Sequence, residues 1–166
     1  AEVGTFNGKV YGLSWQACPG AMFYRRSLAK KYLGTDDPEA VQDMVANWYK
    51  FLNTARVIKE KSRGKCIMVS SLGDLDKPFV CARKNPWLVN GKLTVDEMMV
   101  IQLDVAKKLA AEGLAGNVGT WSREWNAGIN GQYENEKGKS QEVFCYFLPT
   151  WGLHYVLKPN GKNTAG

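Results

Sequence analysis

His154 is the only histidine in this 166-residue chain. A multi-histidine metal site therefore has no ligands to draw on, and a Ser–His or Cys–His couple has a single possible base. The four cysteines, Cys18, Cys66, Cys81 and Cys145, never approach a C-x-x-C spacing, which argues against zinc. No stretch reaches the roughly 18 consecutive apolar residues of a membrane-spanning helix. No glycine-rich phosphate loop is present, because "GLAGNVG" follows a helical pattern and not a strand, which breaks the dinucleotide fingerprint. Repeats and low-complexity tracts are absent. No signal-peptide pattern opens the sequence, which leaves either a cytoplasmic chain or a leader outside this sequence.

What remains is ordinary globular material with an unusual aromatic content. Hydrophobic residues make up 45% and charged residues 23%, which excludes disorder and suits one domain with a real core. The net charge of +6 and the isoelectric point near 9.1 raise the question of a nucleic-acid partner. The basic residues come as scattered pairs, such as Arg25-Arg26, Lys30-Lys31 and Lys107-Lys108, and a solvated surface accounts for them. Cys66 and Cys145 sit in apolar runs, KCIMV and VFCYF, where cysteine behaves as a small hydrophobe. Disulfides are open to a secreted chain, but their pairing cannot be assigned.

Strand and helix patterns alternate along the chain, which defines an α/β class. Asn7-Gly8 signals a turn before the alternating "VYGLSW", and Phe23-Tyr24 reads as a short strand before a helix that Gly34 ends. Asp37, Pro38 and Glu39 form a helix start. From there Val41, Met44, Val45, Trp48, Phe51, Leu52, Ala55 and Ile58 mark one apolar face as far as Gly64. "KCIMVS" has the continuous apolarity of a strand covered on both faces. A loop and short helix follow, then a hairpin at Asn90-Gly91. Thr94 and Glu97 read as a capping box for a helix burying Val95, Met98, Ile101, Val105 and Leu109. Ser122 caps a short helix carrying Trp125. After a polar, turn-rich stretch, "VFCYFL" is the most strand-like passage of all.

Chemistry is hard to build from these parts. Asp36-Asp37 looks like a cap and Glu134-Glu136 like a solvated loop. Asp74 and Asp76 are the one carboxylate pair that a small carbohydrate-active hydrolase would use. The six tryptophans are more informative. Trp48 lies on a buried helical face, and Trp87 fits a surface lid or the core. Trp15, Trp121, Trp125 and Trp151 fall at element ends or in loops, next to Gln16, Arg123 and Asn126. Flat aromatic faces ringed by hydrogen-bonding groups match the apolar face and hydroxyl rim of a sugar ring. They also match a single-stranded RNA base, so a basic RNA-binding domain stands as a further alternative.

Four passages in series resemble the extracellular sugar-binding proteins of ABC transporters, the maltose-binding-protein-like solute-binding protein family 1. They are "NGKVYGLSWQACPGAMFYRRSLAKKYLG", W-x-K-F-L-x-T-A, W-S-x-x-W-x-A-G-I and "VFCYFLPTWGLHYVLKPN". Their order and spacing agree, and together they cover nearly the whole chain. The resemblance implies one lobe of a two-lobe, type II periplasmic-binding-protein-like fold, a mixed sheet flanked by helices. Residues 1–166 then form most of the C-terminal lobe of a longer protein, the partner lobe lies outside this chain, and "HYVLKPNGKNTAG" leads toward a hinge.

It further implies oligosaccharide binding by Trp15, Gln16, Trp121, Arg123, Trp125 and Trp151. Trp15, Trp125 and Trp151 would stack on the sugar, while Gln16 and Arg123 would meet its hydroxyls. No catalytic residue, metal or cofactor is implied. The implied partners are the transporter's membrane permease subunits. The implied location is extracellular or periplasmic, with any lipid anchor outside this chain. Open strand edges leave self-association possible. Four cysteines are unusual for the family.

Overall fold

The computed structural model describes residues 4–14 and 17–161. Two short hairpins sit at the surface. β1 (Thr5–Phe6) pairs with β2 (Lys9–Val10), and β5 (Leu88–Val89) with β6 (Lys92–Leu93). Both turn at Asn-Gly steps with positive φ, 46° and 72° at Asn7-Gly8 and 52° and 74° at Asn90-Gly91, the geometry that matches the twist of the flanking strands. The strand expected to run on from Val10 does not: residues 11–14 have no regular structure. Trp15 and Gln16 lie outside the described residues.

The body of the protein is organised by its last strands. β8 (Ser140–Val143) and β9 (Cys145–Pro149) run nearly end to end. β8 pairs parallel with β4 (Cys66–Ile67) and antiparallel with β7 (Tyr133–Glu134), while β9 pairs antiparallel with β3 (Gly20–Tyr24). Backbone bonds from Phe144 N to Ile67 O (2.9 Å) and from Cys145 N to Met68 O (3.0 Å) carry the β4 pairing across the junction. On the far side of β4, Met68 N bonds Leu114 O and Gly116 N bonds Val69 O. β4 thus has neighbours on both edges, and residues 66–71 are all buried, as their unbroken apolarity requires.

Helices cover the sheet. α1 (Arg26–Leu33), α2 (Pro38–Met44), α3 (Trp48–Ser62), α4 (Asp76–Ala82) and α5 (Glu97–Ala111) enclose the larger core. In it Trp48 stacks on Phe79 at 4.2 Å and 15°, and meets Phe51 edge-on at 5.4 Å. Phe51 and Phe79 are fully buried, and each such side chain contributes roughly 1.5–3 kcal/mol. A second core joins α6 (Arg123–Ile129) to Val143, Tyr146 and Leu148. Gly128 lets α6 approach, since a β-carbon there would lie 2.6 Å from Tyr146 Oη and 3.0 Å from Val143 Cγ2.

Two expectations are corrected. The helix read from Asp37 to Gly64 is two helices, because Asn47 caps α3 by accepting from Lys50 N at 2.9 Å. Thr54 Oγ1 donates to Met44 O at 2.6 Å, supplying a partner to a carbonyl at the end of α2. Asn47→Ala is expected to cost about 1 kcal/mol, read from the urea midpoint, whereas an unbroken helix would gain from alanine.

The N-cap of α5 is Asp96 and not Thr94. Asp96 Oδ1 accepts from Met98 N while Oδ2 accepts from the backbone N–H groups of Lys84 and Asn85. The buried face shifts with it. Met99, Val105 and Leu109 are buried, Met98 and Ile101 are partly covered, and Val95 is exposed. Residues 153–160 take in the start of the passage expected to lead toward a hinge, whose end lies outside the described residues. They form a π-helical turn (Leu153–Leu157) and α7 (Lys158–Asn160), with Val156 buried in the second core.

Candidate functional site

The directions of the strands bring several loops to one end of the sheet. β4 runs out at Ser70-Ser71 and β9 at Pro149, opposite which antiparallel β3 begins at Gly20. Thr150 N bonds Pro19 O at 3.0 Å. The loop after α5 reaches the same end, where Thr120 Oγ1 donates to Ser71 Oγ at 3.1 Å. Ligand sites of open α/β sheets lie outside the carboxyl ends of such strands.

Trp121, Trp125 and Trp151 meet here. Ser122 caps α6 through Trp125 N at 3.1 Å and so fixes the start of the helix. Trp125 points into the protein and has no exposed surface. Its Nε1 donates to both oxygens of Asp74, at 2.8 and 3.1 Å, and Tyr146 meets its ring edge-on at 4.9 Å. Trp121 packs on Trp125 at 5.0 Å and 41°, and Trp151 lies nearly parallel to Trp121, at 6.2 Å and 17°. Near-parallel rings at that separation form an offset stack. Trp121 is 50% exposed and Trp151 half-buried.

Trp121 also has φ of 70°, in the left-handed region that costs a bulky residue on the order of 1–3 kcal/mol. Ser122 N bonding Gly119 O closes the turn, and the Asn126 amide donates to the carbonyls of Trp121 and Ser122. These contacts hold an indole half in solvent, an arrangement that suits a ligand better than it suits a core.

The expected site residues thus separate. Trp121 and Trp151 form an accessible pair. Trp125, expected to stack on a ligand, is instead the wall behind that pair, because its indole N–H needs the buried Asp74 carboxylate. Arg123 is exposed beside the pair on the first turn of α6. Trp87 is exposed on its hairpin under the Arg83 guanidinium, 4.8 Å from the ring centre.

Asp74 is what sequence reasoning missed in this role. A 3₁₀ turn (Leu72–Leu75), begun by Ser71 Oγ accepting from Gly73 N, carries it inward. Burial pushes its carboxyl up to about 7, against the lowering effects of the Trp125 N–H and a backbone contact at Ser71 and with a small upward push from Asp76. Asp76 is exposed and accepts from Gln102 Nε2 at 2.6 Å, so the two carboxylates occupy different environments. Burial also pushes the Cys66 thiol up to about 12, raises Cys145 well above its ordinary value and raises the Tyr146 phenol. Both buried thiols therefore stay protonated. Cys18 and Cys81 are exposed free thiols. Among the described residues no three His, Cys, Asp or Glu side chains gather as a metal site, and no helix is long and apolar enough to cross a membrane.

The fold is mixed α/β, built from several small sheets with helices around them, and is consistent with one lobe of a two-lobe protein. It is similar to the crystal structure of an extracellular solute-binding protein family 1, with a TM-score of 0.65 and 18% identity, over 87% of this chain and 35% of that one. The chain therefore spans about a third of the length of the structure it matches. No family model and no curated protein matches the chain.

Proposed function

We propose that this chain is one lobe of a carbohydrate-binding protein that delivers an oligosaccharide to an ABC transporter. The sugar is held in a cleft against Trp121 and Trp151, and the partner lobe closes over it. The observation that carries the reading is the offset Trp121–Trp151 pair at the carboxyl end of the sheet, with Trp121 half in solvent and Trp151 partly covered. Trp125 and Asp74 hold that pair from behind. Arg123 meets hydroxyls at the rim, and Trp15 and Gln16, which precede β3, complete the contacts. The protein binds and releases without covalent chemistry. It works outside the cell or in the periplasm, with membrane permease subunits as its partners.

Two alternatives lose ground. A hydrolase built on Asp74 and Asp76 would need both carboxylates at one opening, and Asp74 is buried behind Trp125. Against an RNA-binding surface, three of the basic residues are committed to acidic partners, Arg26 to Asp36, Arg56 to Glu112 and Lys31 to Glu142.

The test follows the indole N–H signals in a nitrogen-correlated NMR spectrum while a panel of linear oligosaccharides is added. At least one glycan is expected to shift Trp121 and Trp151 saturably and leave Trp48 in place. Trp121→Ala and Trp151→Ala should each weaken that glycan about tenfold, near 1.4 kcal/mol. Indole signals unmoved by every glycan, or reducing ends released during the titration, would overturn the reading.

A further inference from the structure

A cavity lies away from the tryptophan pair. It has a volume of about 380 Å³, within the roughly 300–1,000 Å³ of small-molecule sites. Phe23 of β3, Tyr146 of β9 and Ile129 of α6 form one side. Leu153 and Leu157 of the π-helical turn form the other. Single π-helical turns interrupt regular structure disproportionately at functional sites, and here one places two leucines on the same opening.

The polar groups of this cavity are one-sided. Arg25 and Lys158 line it, and none of the described residues lining it is acidic. Arg25 is anchored through its backbone N–H to Phe144 O at 3.0 Å, which fixes where its side chain starts. Its Nη1 is buried and has no hydrogen-bond partner. Gly131 passes close beside it, where a β-carbon would lie 3.3 Å from Nη1. That nitrogen is closed off from the cavity; what Arg25 offers there is the permanent charge of its guanidinium, which no acidic residue among the described lining balances. The complementary molecule carries an anionic oxygen for the guanidinium and an apolar body for the aromatic and leucine walls.

We infer that this cavity is a binding site for a small organic carboxylate with an aromatic or branched apolar body, its carboxylate on Arg25 and Lys158. The site is separate from the tryptophan pair, although Tyr146 forms a wall of the cavity and also touches Trp125. It rests on none of the carbohydrate contacts.

The probe is 3-phenylpropionate, compared with its uncharged primary amide, by isothermal titration calorimetry. Saturable one-to-one binding of the acid is expected, with the amide at least tenfold weaker. Arg25→Gln should weaken the acid at least tenfold while keeping the thermal midpoint at or above the parent's, since an unpaired buried cation has been removed. A merely structural Arg25 would lose midpoint instead. Leu153→Trp, at a partly exposed position on the rim, should block the acid, with folding checked by circular dichroism. Trp121→Ala should leave acid binding unchanged. No saturable binding up to about 10 mM, equal binding of acid and amide, or full retention in Arg25→Gln would overturn the assignment.

Discussion

Trp125→Ala is expected to remove about 4 kcal/mol of folding stability, the range for truncating a large buried aromatic side chain. The indole fills the contact between α6 and the sheet, and nothing smaller reaches Tyr146, Trp121 and Asp74 together. A loss of that size is a large share of a domain's typical 5–15 kcal/mol. It would appear as a lower urea midpoint with an unchanged slope. Trp125→Phe separates ring from N–H. It keeps most of the packing but leaves the buried Asp74 without its indole donor, for about 1–3 kcal/mol, with the larger loss at pH 8, where Asp74 is ionised. A cost below about 1 kcal/mol for the alanine variant would mean that the indole is not the keystone of the second core.

The second large effect is a pH dependence carried by Asp74. Its carboxyl titrates near 7 in the folded chain against an ordinary value of 3.8. Between those values the folded protein holds a proton that the unfolded chain has released. Asp74's contribution to stability is therefore full below pH 4, falls as pH rises to about 7, and levels off above. The span corresponds to about 4 kcal/mol. Asp96 and Glu112 act in the opposite sense. Backbone N–H groups, Met98's foremost, lower Asp96, and the Arg56 guanidinium lowers Glu112. Their contributions are lost as pH falls through their folded values.

Asp74→Asn isolates the effect, because an amide oxygen still accepts from Trp125 Nε1 and carries no charge. Relative to the parent, the variant should be equally stable below pH 4 and more stable by up to about 4 kcal/mol at pH 8. Urea titrations at five pH values would read this directly. Parallel stability curves for the two proteins would show that Asp74 is not desolvated. Because Asp74 holds the wall behind the tryptophan pair, the same titration should alter the emission of Trp125.

What the sequence disclosed was local. Asn-Gly turns, the Ser122 cap and the stop at Gly34 each depend on a few adjacent residues, and each stands as read. The break at Asn47 was hidden because apolar spacing continues through Val45 and Trp48 while the cap works within one turn. Asp96 was hidden by Thr94, which also satisfies a capping pattern. Long-range pairing leaves no local trace: nothing in "SQEVFCYFLP" says that its first half faces β4 and β7 and its second half β3. The burial of Trp125 had one signal, the four-residue step to Ile129 that puts both on a single helical face. Its partner Asp74 lies in a distant loop, and only folding reveals that a carboxylate waits for the indole N–H.

The continuous β8–β9 ribbon has a consequence for the order of events during synthesis. β3 and β4 leave the ribosome long before the strand that bridges them, since Gly20 pairs with Pro149 and Ile67 with Val143. Until residue 149 has emerged, both keep open edges in a nascent chain, and the sheet cannot close. Contacts so distant along the chain slow folding. The waiting segments, GAMFY of β3 and CIMV at β4, are apolar and uncharged, the type of open edge that pairs with other chains. Closure of the sheet is therefore expected to come last in folding, once residue 149 has emerged.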